Sequence, residues 1–126
     1  MSDLLQLAAR VEDAVGPSLV LDRDIALALY PRAAAIPGNE ARILVWDGNG
    51  RTHLTVKPYT ALLDAAMTLR LEGWHVSMMT ECDQNDSAAV CLTENEEPCR
   101  DVVGRGVNMI TSLIAACLRA REVTHG

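Results

Sequence analysis

The hydrophobic positions of the chain follow two spacings, one typical of helices and one typical of strands. Apolar residues recur every three or four positions in some segments, which predicts helices over about 3–15, 22–30, 60–71 and 107–123. Short runs rich in β-branched and apolar residues predict strands over 43–46, 53–56, 74–80 and 88–93. The predicted order of elements is therefore α-α-β-β-α-β-β-α.

Turn and cap residues mark most of the boundaries between these segments. Gly16-Pro17 ends the first helix, and Asp22 and Thr60 are suitable N-terminal caps for the second and third helices. The run Asp47-Gly48-Asn49-Gly50 predicts the turn of one hairpin, because its glycines and asparagine tolerate positive φ. Residues 83–86 predict the turn of a second hairpin.

One domain, residues 1–126, accommodates all of these elements. A chain of 126 residues with 49% hydrophobic content can bury one core, but it has no room for a second one. Residues 31–39 are rich in Ala, Pro and Gly and predict a surface loop ahead of the first strand. We therefore expect an α+β fold, in which an antiparallel sheet built from two hairpins packs with the helices in a sandwich.

The charge of the chain argues against several classes of function. Its net charge is −6, and its 11 basic residues are scattered along the sequence. Direct binding of DNA or RNA through phosphate contacts is therefore not expected. The N-terminus has no signal-peptide pattern, and no apolar run approaches the roughly 18 residues that a spanning helix needs. We expect a cytoplasmic protein without a membrane partner.

Several short motifs are distributed along the chain, in its middle and near both ends. They are Pro58-Tyr59-Thr60, Asp64-Ala65-Ala66, Leu69, Gly73-Trp74, the leucine-rich segment 4–15, Leu21-Asp22 and the alanine-rich segment 113–121. Together they resemble the phage α/β/α-sandwich domain family, a group of short phage and prophage proteins of unassigned biochemistry. The resemblance implies a sandwich fold and a bacterial host cytoplasm, and it assigns no catalytic residue. The hairpin over 43–56 departs from that family's pattern.

Gly104, Arg105 and Gly106, followed by Asn108 at the start of the last helix, are the candidate ligand-binding residues. The free N–H groups of a helix start and one arginine can hold an anion such as the phosphate of a small nucleotide. The competing interpretation is a flexible loop with a solvated arginine. The segment lacks the lysine and the spacing of a P-loop.

A second candidate surface is acidic and would contact a partner protein. Its predicted residues are Glu81, Asp83, Asp86, Glu94, Glu96 and Glu97, with Trp46 as an anchor. Exposed tryptophan is common at the centre of interfaces. For Trp46 the alternative is burial at one edge of the core, and the sequence favours burial.

Other residue types do not assemble into a site. His53 and His75 each lie in a predicted strand and are expected to be ordinary strand residues. The four cysteines lack the spacing of a zinc site, although Cys82 and Cys91 can face each other across a hairpin. The carboxylates at 81–86 form only part of a calcium loop. No metal, cofactor or catalytic residue is expected.

These observations favour a non-enzymatic phage accessory protein that acts by binding. The leading hypothesis is an inhibitor of a bacterial anti-phage immune component, such as an anti-CRISPR-like protein, with a host protein or complex as its partner. The first alternative is a protein that sequesters a nucleotide immune signal through residues 104–108. The second is an assembly protein that forms a symmetric homo-oligomer.

Overall fold

The structure is a computed structural model that describes residues 3–30, 32–46, 48–82 and 87–125. Its helices and strands occur in the order α-α-β-β-β-α-β-β-β-α. The elements are α1 (Asp3–Glu12), α2 (Leu19–Leu29), β1 (Ala34–Ile36), β2 (Asn39–Trp46), β3 (Arg51–Thr55), α3 (Leu63–Met67), β4 (Trp74–Cys82), β5 (Ser87–Glu94), β6 (Asp101–Gly106) and α4 (Met109–His125).

The expected α+β class is confirmed, but the expected single sheet is wrong. The strands form two antiparallel sheets of three strands each, with the orders β1-β2-β3 and β4-β5-β6. The sequence prediction missed β1 and β6. β1 lies in the segment expected to be a loop, and it turns into β2 through Pro37-Gly38, where Gly38 has a φ of 76°. Such a turn favours proline followed by a glycine with positive φ.

The predicted helix boundaries are corrected at three places. α1 ends at Glu12 rather than at residue 15, and α2 begins earlier than expected because Ser18 caps it by accepting a hydrogen bond from the Leu21 N–H. Asp22 therefore lies inside α2 instead of capping it. The third helix is reduced to Leu63–Met67, and the chain before it forms hydrogen-bonded turns that start at Pro58.

The core is centred on α4, which packs against sheet β4-β5-β6 and against α1. The fully buried side chains of this helix face alternate apolar residues of β5, as expected for a helix lying on one face of a sheet. The largest apolar ones are Leu113, Ile114, Cys117 and Leu118 on α4, opposite Val90 and Leu92 on β5. Sheet β1-β2-β3 packs with its inner face against α2 and buries Ile43 and Val45.

A buried hydrogen-bond junction connects α2 to the turns before α3. Both the N–H and the hydroxyl of Thr60 donate to Oδ1 of Asp22 at 2.8 Å, and the N–H of Ser18 donates to the Thr60 hydroxyl at 2.8 Å. Asp22 and Thr60 are almost completely buried. Buried polar groups require such partners, so this junction fixes the position of the two segments relative to each other.

Among the described helices, none combines the length and the apolar character that crossing a membrane requires.

Candidate functional site

The segment that holds Gly104, Arg105 and Gly106 is part of strand β6, so the expectation of a loop there is wrong. The Arg105 N–H donates to a carboxylate oxygen of Glu12 at 2.6 Å, and the Gly106 N–H donates to the Ser112 hydroxyl at 2.8 Å. The main-chain donors at 105 and 106 on which the anion site depended are therefore already used within the fold.

Asn108 serves as a helix cap. Its side-chain oxygen Oδ1 accepts a hydrogen bond from the Thr111 N–H at 2.9 Å, which satisfies one of the open donors at the start of α4. Nucleotide binding by residues 104–108 stays a prediction. The geometry gives this segment a structural role, because both its strand and its cap are needed to position α4.

The two glycines of β6 have a packing function that the sequence did not reveal. A Cβ on Gly104 would lie 1.9 Å from the main-chain oxygen of Ser112, and a Cβ on Gly106 would lie 2.3 Å from the Thr111 hydroxyl. Only glycine lets α4 approach the strand this closely. This requirement depends on a contact between two elements, so the local sequence shows it only as a loop-like composition.

The side chain of Arg105 remains exposed and lies at the end of sheet β4-β5-β6. Together with Glu81 and Gly106 it lines an open hollow of about 330 Å³. The structure thus brings together two residues of the predicted ligand site, Arg105 and Gly106, and one residue of the predicted acidic surface, Glu81. A charged pair around a shallow, open hollow does not by itself define a ligand site.

The predicted acidic surface is divided between two ends of the hairpin formed by β4 and β5. Glu81 pairs in register with Ala88 near the hairpin turn, whereas Glu94 pairs with Trp74 at the opposite end. Seven residues of strand separate the two ends, which corresponds to about 23 Å. Asp83 and Asp86 lie outside the described residues. Glu81 is therefore separated from Glu94, Glu96 and Glu97, and contact of the acidic residues with a partner stays a prediction.

Glu94 is already paired within the fold. Arg100 donates to both of its carboxylate oxygens, at 2.5 and 3.0 Å, and these hydrogen bonds lower the pKa of Glu94. Glu96 and Glu97 are exposed beside it and line an open cavity of about 550 Å³ together with Glu72. This end of the sheet carries charge, but part of that charge is compensated by an internal partner.

Trp46 is exposed, so the favoured expectation of a buried tryptophan is wrong. About half of its surface, 49%, is accessible to solvent, and it lies at the end of β2 in register with Arg51 on β3. The guanidinium carbon of Arg51 lies 5.0 Å from the centre of the Trp46 ring, which is a cation–π contact. The other tryptophan, Trp74, is buried.

The same strand face gathers basic residues that are far apart in the sequence. Side chains alternate between the two faces of a strand, so positions 42, 44 and 46 of β2 share the outer face with positions 51, 53 and 55 of β3. Alternating exposure continues to Lys57, just after β3. We call this surface the basic face and define it by Arg42, Leu44, Trp46, Arg51, His53 and Lys57.

The sequence analysis missed the basic face, although the signal was present. The predicted hairpin turn after Trp46 places Arg51 opposite this residue, and the period of two then aligns Leu44 with His53. Treating the basic residues as scattered overlooked this alternation.

The remaining candidates are not brought together. His53 and His75 lie in different sheets, and Nδ1 of His75 lies 2.6 Å from the side-chain oxygen of Asn95. Cys82 and Cys91, which the sequence allowed to face each other, do not do so, because Cys82 pairs with Ser87 and Cys91 pairs with Met78. No group of three His, Cys, Asp or Glu side chains suited to a metal ion occurs in the described parts of the chain.

Comparisons of the chain with protein families, with curated proteins and with solved structures gave no match. The resemblance to the phage α/β/α-sandwich family therefore stays a prediction.

Proposed function

We propose that this chain is a non-enzymatic binding protein that contacts a host protein through the basic face, with Trp46 as the anchor. In the phage setting that the family resemblance implies, its partner is a component of bacterial anti-phage immunity, and binding inhibits that component. The observation that carries the proposal is the half-exposed Trp46 ring, held under the Arg51 guanidinium.

Tryptophan and arginine are the residue types that most often supply the binding energy of protein interfaces. Trp46 contributes less to the core than its size allows, because half of its surface faces solvent. Covering that surface with a partner releases hydrophobic free energy that folding has not used. The contact with Arg51 also restricts the side-chain rotamers before binding, which lowers the entropy lost on association.

Placing the contact on the basic face changes the form of the inhibitor hypothesis. The sequence analysis placed the contact on the acidic residues Glu81, Asp83, Asp86, Glu94, Glu96 and Glu97, with Trp46 as the anchor. Glu81 lies at the opposite end of the hairpin from Glu94, Glu96 and Glu97, so these acidic residues do not share one local patch. The basic face is continuous, so it fits the role of a docking surface better.

The test is affinity capture of bacterial proteins by the tagged chain and by two variants. Trp46→Ala removes the anchor, whereas Val15→Ala removes an apolar side chain that is 91% exposed elsewhere on the surface. We expect native mass spectrometry to detect one host protein at fixed stoichiometry with the wild-type chain and with Val15→Ala, and its loss with Trp46→Ala. Equal capture by all three chains would contradict the proposal.

The inhibitory role requires a second readout. We expect expression of the wild-type chain to restore phage plaques on a strain protected by the captured component. Trp46→Ala should leave that strain protected. If the wild-type chain captures the component without restoring plaques, the chain binds the component but does not inhibit it.

A further inference from the structure

The basic face carries the opposite sign of charge from the chain as a whole. The chain has 17 acidic and 11 basic residues, yet the side chains of Arg42, Arg51 and Lys57 project together from this face. Among the described residues on the outer face of β2 and β3, only Glu40 is acidic. It lies at the opposite end of β2 from Trp46. The face is therefore a local positive region on an acidic protein.

In the described parts of the chain the positive charges of this face form no ion pair, and Arg51 contacts the Trp46 ring. Ion pairs there engage Arg10, Arg23, Arg100 and Arg119, and none of them involves the basic face. All three basic side chains of the face are exposed. Charged groups that are neither paired nor buried remain available for a partner, and they steer its approach.

We infer that the partner surface recognised by the basic face is an acidic protein segment, an inference that rests on the proposed function. Carboxylates of the segment pair with Arg42 and Arg51, whose guanidinium groups match them in geometry as well as in charge, and with the ammonium group of Lys57, which matches them in charge. An apolar side chain of the same segment covers Trp46 and the half-buried Leu44 between these charges.

Single-stranded nucleic acid is the competing occupant, and the face fits it less well. Surfaces that bind such strands stack successive bases on several aromatic rings. The basic face has two aromatic rings, Trp46 and the smaller imidazole of His53, and Arg51 already lies over Trp46. The net charge of −6 also repels a polyphosphate chain more strongly than a short acidic segment.

The experiment is a titration of the nitrogen-15-labelled chain followed by two-dimensional amide NMR spectra. The probes are a short synthetic peptide of Glu, Asp and Leu residues, the same peptide with Gln and Asn in place of the acids, and oligothymidine. Of the three probes, we expect only the acidic peptide to shift the amide signals of residues 42–46 and 51–57. Rising salt should weaken this binding.

Two substitutions that each remove one positive charge are compared, one on the basic face and one away from it as the matched control. Arg42→Gln removes one charge from the basic face, and Arg105→Gln removes one exposed arginine from the other sheet. We expect Arg42→Gln to weaken binding of the acidic peptide by about tenfold, and Arg105→Gln to leave it within about twofold of the wild-type value. The spectra of the free variants report whether each one is folded.

The outcomes separate this inference from the proposed function. Shifts confined to residues outside the basic face, equal binding of the acidic and neutral peptides, or stronger binding of oligothymidine would each overturn the acidic-segment inference. If any of these occurs while Trp46→Ala still abolishes capture of the host protein, the binding function stands and only the chemistry of its partner is wrong.

Discussion

Glu12 and Arg119 are paired across the fold, with two N–H groups of the guanidinium donating to the two carboxylate oxygens at 2.6 Å each. Glu12 also accepts the Arg105 N–H, and Arg119 donates to the Val103 carbonyl oxygen at 2.8 Å. The two side chains therefore satisfy one donor and one acceptor on the open edge of β6, in the way that a neighbouring strand would.

Replacing Glu12 with alanine should destabilise the protein. The substitution leaves Arg119 without its carboxylate and the Arg105 N–H without its acceptor, so we expect the free energy of unfolding to fall by about 1–3 kcal/mol. The measurement is urea unfolding followed by circular dichroism. Arg10→Ala is the control, because its ion pair with Asp24 involves an exposed arginine and should contribute at most about 1 kcal/mol.

Stability should also depend on pH through Glu12. Burial raises the pKa of this carboxyl group, but hydrogen bonds from Arg119 and from the Arg105 N–H outweigh that effect, so the pKa lies below the ordinary glutamate value. A carboxyl group whose pKa is lower in the folded state stabilises the protein above its unfolded pKa, and this stability is lost as the pH falls through the folded pKa. Unfolding should therefore become easier from the ordinary glutamate pKa downward.

Urea midpoints measured between about pH 3 and about pH 7 test this dependence. Glu12→Gln should reduce the fall of the urea midpoint at acidic pH. Glu96→Gln is the matched control, because Glu96 is exposed and its substitution should leave that fall unchanged. A profile that Glu12→Gln leaves unchanged would show that this carboxylate does not couple folding to protonation.

Adding one methyl group to β6 should be costly. Gly104→Ala places a Cβ 1.9 Å from the main-chain oxygen of Ser112, so α4 and the strand must separate, and we expect a loss of about 1–3 kcal/mol. Gly16→Ala is the matched control, because no atom lies within 4 Å of the added Cβ. Equal thermal midpoints for the two variants would mean that α4 does not approach β6 as closely as described.

The junction at Thr60 can be tested with a substitution of similar shape. Thr60→Val removes the hydroxyl that donates to Asp22 and accepts from the Ser18 N–H, so the buried Asp22 carboxylate and the partly buried Ser18 N–H each lose a partner. We expect the free energy of unfolding to fall by about 1–3 kcal/mol. Thr68→Val removes an exposed hydroxyl and should change stability much less. A similar loss in both variants would exclude a special role for the junction.

Periodicity and local composition predicted the elements whose pattern is visible within a single segment of the sequence. The apolar spacing of α1 and α4 and the short β-branched and apolar runs of the strands around both hairpins were sufficient, and the structure contains these elements. β6 was missed because Gly104 and Gly106 weaken a strand in isolation, whereas here they permit contact with α4.

Asp22 and Thr60 show a second limit of local patterns. Each belongs to a residue type that favours helix caps, and each was predicted to be one. In the structure they hydrogen-bond to each other over 38 positions of sequence. The basic face required a similar step, because its residues become neighbours only after the hairpin register is applied to both strands.

The pair formed by Glu12 and Arg119 also limits how this sheet can grow. Edge strands offer free donors and acceptors to other chains, and a sheet with two open edges can extend in both directions into a fibre. With part of the β6 edge occupied, the sheet β4-β5-β6 has β4 as its remaining edge. A second copy that pairs there presents its own blocked edge outward, so strand addition to this sheet ends after one step.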